Sequence, residues 1–315
     1  LVSDITNPKE RFFNDDYTKT LKLISNKPDE FYNGIIADNI IKELQKSENF
    51  GYLNKNDLKF YKPEKNFALC RRLKNKKLVC GPNLPSSGAI CIIQALIIYE
   101  NISKETDPFD INNVLSILDF VYSLRSETLA DDKFEEINLN LLLNEQELLK
   151  KYKNFLKIYK KTSLLNLNEL LNSTTHFSVV DKDGNIVSAT SSIESSFGSR
   201  LYTNGFFLNN QLTDFSFKIK NNAGEFIKNR VAGGKRPLSS MSPIIIFDEN
   251  DELVLTIGSP GGKAIIAYVF RVLVETLYNK IDIEKSLKNP NYLRIKGRTF
   301  LEDKSLKKNL IGNAD

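Results

Sequence analysis

Ser173-Thr174-Thr175-His176 joins a hydroxyl pair to the only histidine of the chain. Phe177 and Val179 follow at period two, which predicts a strand headed by the hydroxyls. A polar stretch, 160–173, precedes it and reads as an extended, accessible surface segment. A cut before Thr174 would leave a threonine with a free α-amino group. Such an amine ordinarily titrates at about 7.7–8.0, so it can take the hydroxyl proton near neutral pH. One residue is then nucleophile and base together.

Three further segments carry polar chemistry. Gly258-Ser259-Pro260-Gly261-Gly262 breaks an apolar run and opens a helix. The first backbone N–H groups of a helix lack partners, and glycines at 261 and 262 would let a substrate oxygen approach them, as in an oxyanion hole. A plain strand-to-helix turn has the same composition. Lys235-Arg236-Pro237-Leu238-Ser239-Ser240-Met241-Ser242-Pro243 sets adjacent hydroxyls near two cations, a combination that can hold a carboxylate. Leu208-Asn209-Asn210-Gln211-Leu212-Thr213-Asp214-Phe215 offers Gln211 and Asp214 to a substrate ammonium, although Asn-Asn is also ordinary turn material.

Composition removes several alternatives. With one His, any histidine-based triad must run through His176. One His and three Cys cannot easily supply the four ligands of a structural zinc site, so no metal is expected. No P-loop and no GxGxxG after a strand is present, and no cofactor is expected. The net charge of +5 comes from 44 basic and 39 acidic residues. The lysines are scattered and aromatics do not interleave with them, so nucleic acid is not an expected partner. The basic run 71–77 reads as a hairpin tip. The longest nearly apolar run, 88–99, is too short to span a bilayer, and no signal peptide opens the chain. Cys70 and Cys80 flank the basic run. A bridge across the hairpin and two buried thiols fit their spacing equally.

The elements that must position these segments fall into two halves. Residues 1 to about 160 read as mostly helical. Helices are expected over 35–44, 89–99 and 141–159, and after a cap at Asp110 or Asn112 with Val114, Leu115, Leu118, Val121 and Tyr122 facing inward. From Thr174 onward strands dominate: 176–179, 186–191, 201–208, 243–248 and 253–257, then a helix over 263–277. Asp181-Lys182-Asp183-Gly184-Asn185 predicts a hairpin turn.

Thr174 to Asp181, Leu208 to Gln211 with Asp214-Phe215, Pro237 to Pro243, and Gly258 to Gly262 resemble, in order and spacing, the small subunit of the gamma-glutamyltransferase family (gamma-glutamyltranspeptidase, glutathione hydrolase). Pro28-Asp29-Glu30-Phe31-Tyr32 and Pro85-Ser86-Ser87-Gly88 resemble signatures of its large subunit. The resemblance covers nearly the whole chain. It implies an α+β fold, the four-layer αββα sandwich of the N-terminal nucleophile hydrolases, incomplete at its N-terminus. Residues 1–173 would be large-subunit region and 174–315 the small subunit.

The resemblance also implies roles. The precursor cleaves itself between Ser173 and Thr174, so both subunits come from one chain. Thr174 attacks the γ-glutamyl amide of glutathione or another γ-glutamyl compound. The acyl group passes to water, an amino acid or a peptide. Ser192 stands where the family has a threonine bonded to the nucleophile. Gly261 and Gly262 match the oxyanion pair, Ser239 and Ser240 the α-carboxylate ligands, and Gln211 and Asp214 the ligands of the α-amino group. Glu194 stands where many members carry an asparagine. The family's carboxylate-clamping arginine falls in a part that precedes Leu1, and no residue here matches it. The tail after Thr299 ends early. Two main readings follow: an active or once-active transferase and hydrolase, which a separately encoded N-terminal piece could complete, or an inactive remnant. A non-enzymatic binding module and an acylase for a different acid side chain are the further alternatives. The family and the cysteine pair together suggest a periplasmic or secreted setting.

Overall fold

The computed structural model describes residues 13–46, 51–102, 110–158, 163–166 and 173–310. The chain forms two compact units, one from residues 1–65 with 195–210 and one from 66–194 with 211–315. This grouping is one of packing, whereas the expected division at 173/174 is one of peptide cleavage, which packing does not decide.

In the smaller unit, the helix Asp15–Asn26 is capped by Asn14, whose side chain accepts from the Tyr17 amide at 2.9 Å. The helix Ile35–Gln45 buries Ile36, Ala37 and Ile40 on the face its spacing predicts. The single strand expected over 201–208 is instead a tight hairpin, Tyr202–Thr203 against Phe206–Phe207. Asn204 and Gly205 turn it, with φ of 53° and 83°. Asn-Gly supplies the two left-handed residues of such a turn. A side chain on Gly205 would also come within 2.1 Å of the Tyr17 nitrogen.

The larger unit is built around the helix Gly88–Ile102, which is apolar on all sides and buried from Gly88 to Glu100. The helices Ile111–Thr128, Glu145–Ile158 and Ile265–Leu273 pack on it. Asp110 is the cap of Ile111–Thr128, accepting from Asn112 N at 2.8 Å. The helix expected to start at 141 starts at Glu145, because Asn144 accepts from the Glu147 amide at 3.1 Å and a separate turn, Leu139–Leu142, precedes it.

A four-stranded antiparallel sheet runs Leu69–Arg72, Leu78–Gly81, Ile244–Phe247, Leu253–Ile257. Val79, Ile244, Ile246 and Ile257 join the core from it. Cys70 and Cys80 are cross-strand partners with sulfurs 2.07 Å apart. The basic run is the hairpin tip, and buried Glu100 accepts from the amides of Lys74 and Asn75 at 3.0 Å each. Residues 163–166, expected as part of an irregular surface segment, form a strand parallel to Arg298–Leu301. Their Ser-Leu-Leu-Asn sequence has no period of its own, and the pairing partner lies far off in the chain. The rest of 160–173, apart from Ser173, lies outside the described residues.

Ser173–Val180 and Ile186–Glu194 form a long hairpin. Asp181 fixes its turn by accepting from the amides of Asp183 and Asn185 at 2.9 and 2.8 Å. The hairpin meets the four-stranded sheet at Leu253–Ile257, where Ser178 Oγ lies 3.1 Å from Thr256 Oγ1. Among the described residues no helix is long and apolar enough to cross a membrane.

Candidate active site

The hairpin that carries Thr174 is irregular at one place. Ser173 pairs with Glu194 and Thr174 with Ser192, so Ile193 is an extra residue opposite the Ser173–Thr174 bond. Such a bulge bends a strand and re-aims its side chains. Glu194, at the far side of the bulge, has a φ of 73°, a left-handed conformation costly for a residue with a Cβ. Its amide donates to Ser192 Oγ at 2.9 Å, and Ser192 Oγ lies 3.0 Å from Thr174 Oγ1. The bulge therefore sets both the nucleophile candidate and the hydroxyl beside it.

Thr174, Ser192, Glu194, Gln211, Asp214, Ser239, Ser240 and Gly262 line one pocket, closed on its apolar side by Met241 and Ile265. Gly261 immediately precedes the lining glycine. It has a φ of 128°, and a Cβ there would sit 2.8 Å from the Tyr268 ring. The two glycines turn into the helix Ile265–Leu273 through one short 3-10 turn, with Ala264 N bonded to Gly261 O at 2.9 Å. Their amides thus stand at a helix start, where an anion is favoured.

Gln211 and Asp214 belong to one 3-10 turn, and the Gln211 amide donates to the Asp214 carboxylate. Burial pushes the Asp214 pKa up, against the pull of that hydrogen bond, and the neighbouring Glu194 charge pushes the same way as burial. Two carboxylates side by side are stabilised by a cation between them. Asn229 ties this turn to the serine loop. It donates to Asp214 O at 2.8 Å and accepts from Leu238 N at 3.1 Å.

His176 is not in the pocket. Its ring bonds Thr190 Oγ1 through Nδ1 at 2.9 Å and Ser178 Oγ through Nε2 at 3.1 Å, and burial lowers its pKa. The ring lies on Gly258, where a Cβ would approach Nδ1 to 2.2 Å. The solitary histidine is a strand residue stacked on the glycine-rich break.

Two residues near the pocket escaped the sequence reading. Arg125 donates through Nε to Ser87 Oγ at 2.7 Å, and through Nη2 to Ser240 Oγ at 3.0 Å and Leu238 O at 3.2 Å. Tyr122, one turn earlier on the same helix, donates from its hydroxyl to Lys263 O beside the glycine turn. A signal existed: Arg125 continues the inward row Leu118, Val121, Tyr122 at helical spacing, where a charge needs a reason. The Pro85-Ser86-Ser87-Gly88 motif also acquires a purpose. Ser86 Oγ donates to Met241 O and Ser87 Oγ to Ser239 O, both at 2.6 Å, and Ser239 N donates to Pro85 O at 3.1 Å. Gly88 has no room for a Cβ, which would meet Met241 O at 2.5 Å.

A family model described as Gamma-glutamyltranspeptidase matches residues 3–311. The glutathione hydrolase proenzyme of Escherichia coli K12 is 35% identical over 291 residues, covering 87% of this chain and 49% of that protein. The glutathione hydrolase proenzyme of Pseudomonas aeruginosa is 32% identical over 292 residues, covering 88% and 52%. The chain therefore spans about half the length of the curated relatives it matches. The cephalosporin acylase of Bacillus halodurans shares the fold, with a TM-score of 0.73 at 20% identity over 89% of this chain and 50% of that one. The α+β architecture is thus shared with that acylase. By the extent of the family match and by the identity to its relatives, the chain belongs to the gamma-glutamyltranspeptidase family, a family of enzymes.

Proposed function

We propose that this protein cleaves itself before Thr174 and then transfers or hydrolyses γ-glutamyl groups. The observation that carries the reading is the convergence on one pocket of Thr174, its hydroxyl neighbour Ser192, two serines, two carboxylates and a helix-start glycine. In self-cleavage, Thr174 Oγ attacks the Ser173 carbonyl carbon, and the acyl group moves from nitrogen to oxygen. Water hydrolyses the ester, leaving a Ser173 carboxylate and a free Thr174 amine. The bulge at this bond supports the assignment, because it takes the scissile peptide out of the regular ladder.

The free amine then accepts the Thr174 hydroxyl proton as Oγ attacks the γ-carbonyl. The amides of Gly261 and Gly262 take the oxyanion. Proton transfer to the departing amine breaks the C–N bond and leaves a γ-glutamyl ester on Thr174. Water or an amino-acid or peptide amine attacks that ester, and the Thr174 oxygen regains a proton. Ser239 and Ser240 hold the α-carboxylate. Glu194, Gln211 and Asp214 hold the α-ammonium. An acylase acting on a glutaryl group fits less well, since a glutaryl group lacks the ammonium that the neighbouring carboxylates Glu194 and Asp214 suit. An oxidising compartment belongs to the same reading, which the Cys70–Cys80 bridge suits.

Intact-mass analysis tests the first step. Two fragments meeting at Ser173/Thr174 are expected, and Thr174→Ala should stay a single chain. A γ-glutamyl anilide tests the second: wild type releases the aniline and Thr174→Ala does not. A wild-type chain that stays whole and inert would leave an inactive remnant as the answer.

A further inference from the structure

Resting on that γ-glutamyl reading, we propose that Arg125 is a positioning residue that turns the Ser240 hydroxyl into a dedicated donor for the substrate α-carboxylate, with Ser87 as the anchor that aims it.

A serine hydroxyl donates one hydrogen bond and accepts up to two, so its direction is set by its neighbours. Ser240 Oγ accepts from Arg125 Nη2 at 3.0 Å. A guanidinium can only donate, so this bond fixes Ser240 Oγ as acceptor on that side. Its own proton is left for the pocket that Ser240 lines. Ser239 Oγ is set the same way by the Met241 amide, which donates to it at 3.1 Å. Neither hydroxyl donates to a protein acceptor among the described residues. Two O–H groups thus present protons side by side, which suits the two oxygens of a carboxylate and repels an ammonium.

Arg125 adds charge to direction. An N–H from a cation polarises the hydroxyl it reaches, and the chain of donors strengthens toward an anion. The aim depends on the fork. Nε is held by Ser87 Oγ at 2.7 Å, and Nη2 is shared with Leu238 O at 3.2 Å. Ser87 Oγ in turn donates to Ser239 O at 2.6 Å. The guanidinium, the helix start at Ser87 and the serine loop therefore form one unit. Arg125 need not touch substrate: it acts through Ser240.

The test uses the purified chain and calorimetric binding of three acids: L-glutamate, glutarate, which lacks the amine, and 4-aminobutyrate, which lacks the α-carboxylate. Arg125→Gln should weaken glutamate and glutarate about 10-fold, the scale of one charge-assisted hydrogen bond, and leave 4-aminobutyrate within about twofold. In a Ser240→Ala background the same change should add less than about twofold, because its target is gone. Arg125→Lys should recover little, since a lysine cannot hold both Ser87 and Ser240. Equal losses on all three acids, or full additivity with Ser240→Ala, would overturn the proposal. So would a wild-type chain that does not bind L-glutamate more tightly than 4-aminobutyrate, which lacks only the α-carboxylate. Should Arg125→Gln not fold, Ser87→Ala replaces it, with the same ligand pattern at smaller size expected and a uniform loss counting against. Arg125-dependent glutarate binding without anilide release would sink the catalytic reading alone. Anilide release with Arg125-independent binding would sink the positioning role alone.

Discussion

A carboxylate that is to hold an ammonium must be ionised, and burial opposes ionisation of Asp214. Its raised pKa keeps the neutral form populated to a higher pH than an ordinary aspartate would. An ammonium ligand favours the charged form and pulls the pKa back down. Binding of an amine-bearing substrate should therefore weaken as pH falls through the region just above the usual carboxylate range, and a proton should be released on binding there. Comparing KM for γ-glutamyl and glutaryl anilides across that pH region checks the sign. Only the γ-glutamyl profile should rise toward acid, and Asp214→Asn should flatten it. Identical profiles for both anilides would remove Asp214 from the amine site. At this scale the sequence was legible where chemistry is local. Thr174, Ser239, Ser240 and Gly262 stand in short runs whose types mark them as candidates, and they line one pocket. Arg125 and Tyr122 stand in a helix, and the groups they reach beside the pocket, Ser240 Oγ and Lys263 O, lie more than a hundred residues away.

Loops that carry binding groups need anchors, and here the anchors are buried charges. Lys235, at the head of the serine segment, has a fully buried side chain paired to Glu135 at 3.2 Å, and Arg230 reaches the same carboxylate oxygen at 2.6 Å. Asp131 adds a second hold by accepting from Arg236 N at 2.8 Å. Removing one partner of a buried pair leaves an uncompensated charge. Glu135→Ala should cost about 3–5 kcal/mol in a denaturant titration. Glu135→Leu combined with Lys235→Met should regain most of that loss, because Arg230 is exposed enough to be solvated. A loss under about 1 kcal/mol in the single variant would mean that the loop is held elsewhere. The close approach at Gly258 gives a second case. Gly258→Ala drives a Cβ into the His176 ring, which two hydrogen bonds hold in place, so about 1–3 kcal/mol should be lost. His176→Ala should relieve most of it, measured by the same titration.

For the molecule as a whole, what could be read from the sequence follows the range of the interactions. Caps, the Asp181 turn and the buried helix were legible because their causes lie within a few residues. The strand at 163–166 and the four-stranded order were not, since each rests on pairing between distant segments. The core that results can be read through one thiol. Cys91 sits on the central helix with no exposure, and burial pushes its pKa up to about 12. Cys70 and Cys80 are joined to each other, so the three cysteines leave this single thiol. Reaction requires the thiolate and access, and the folded core denies both. At pH 8 a maleimide should therefore label Cys91 only through opening of the larger unit, at a rate set by stability rather than by thiol chemistry. Leu96→Ala, further along the same helix and fully buried, should cost about 2–5 kcal/mol. At about 1.4 kcal/mol per tenfold, labelling should speed up by roughly 30- to 4,000-fold where opening and closing are fast relative to reaction. Leu156→Ala lies on a half-exposed face and should change the rate by less than about tenfold. If wild-type Cys91 reacted at the rate of a free cysteine, the all-round burial of Gly88–Ile102 would be wrong.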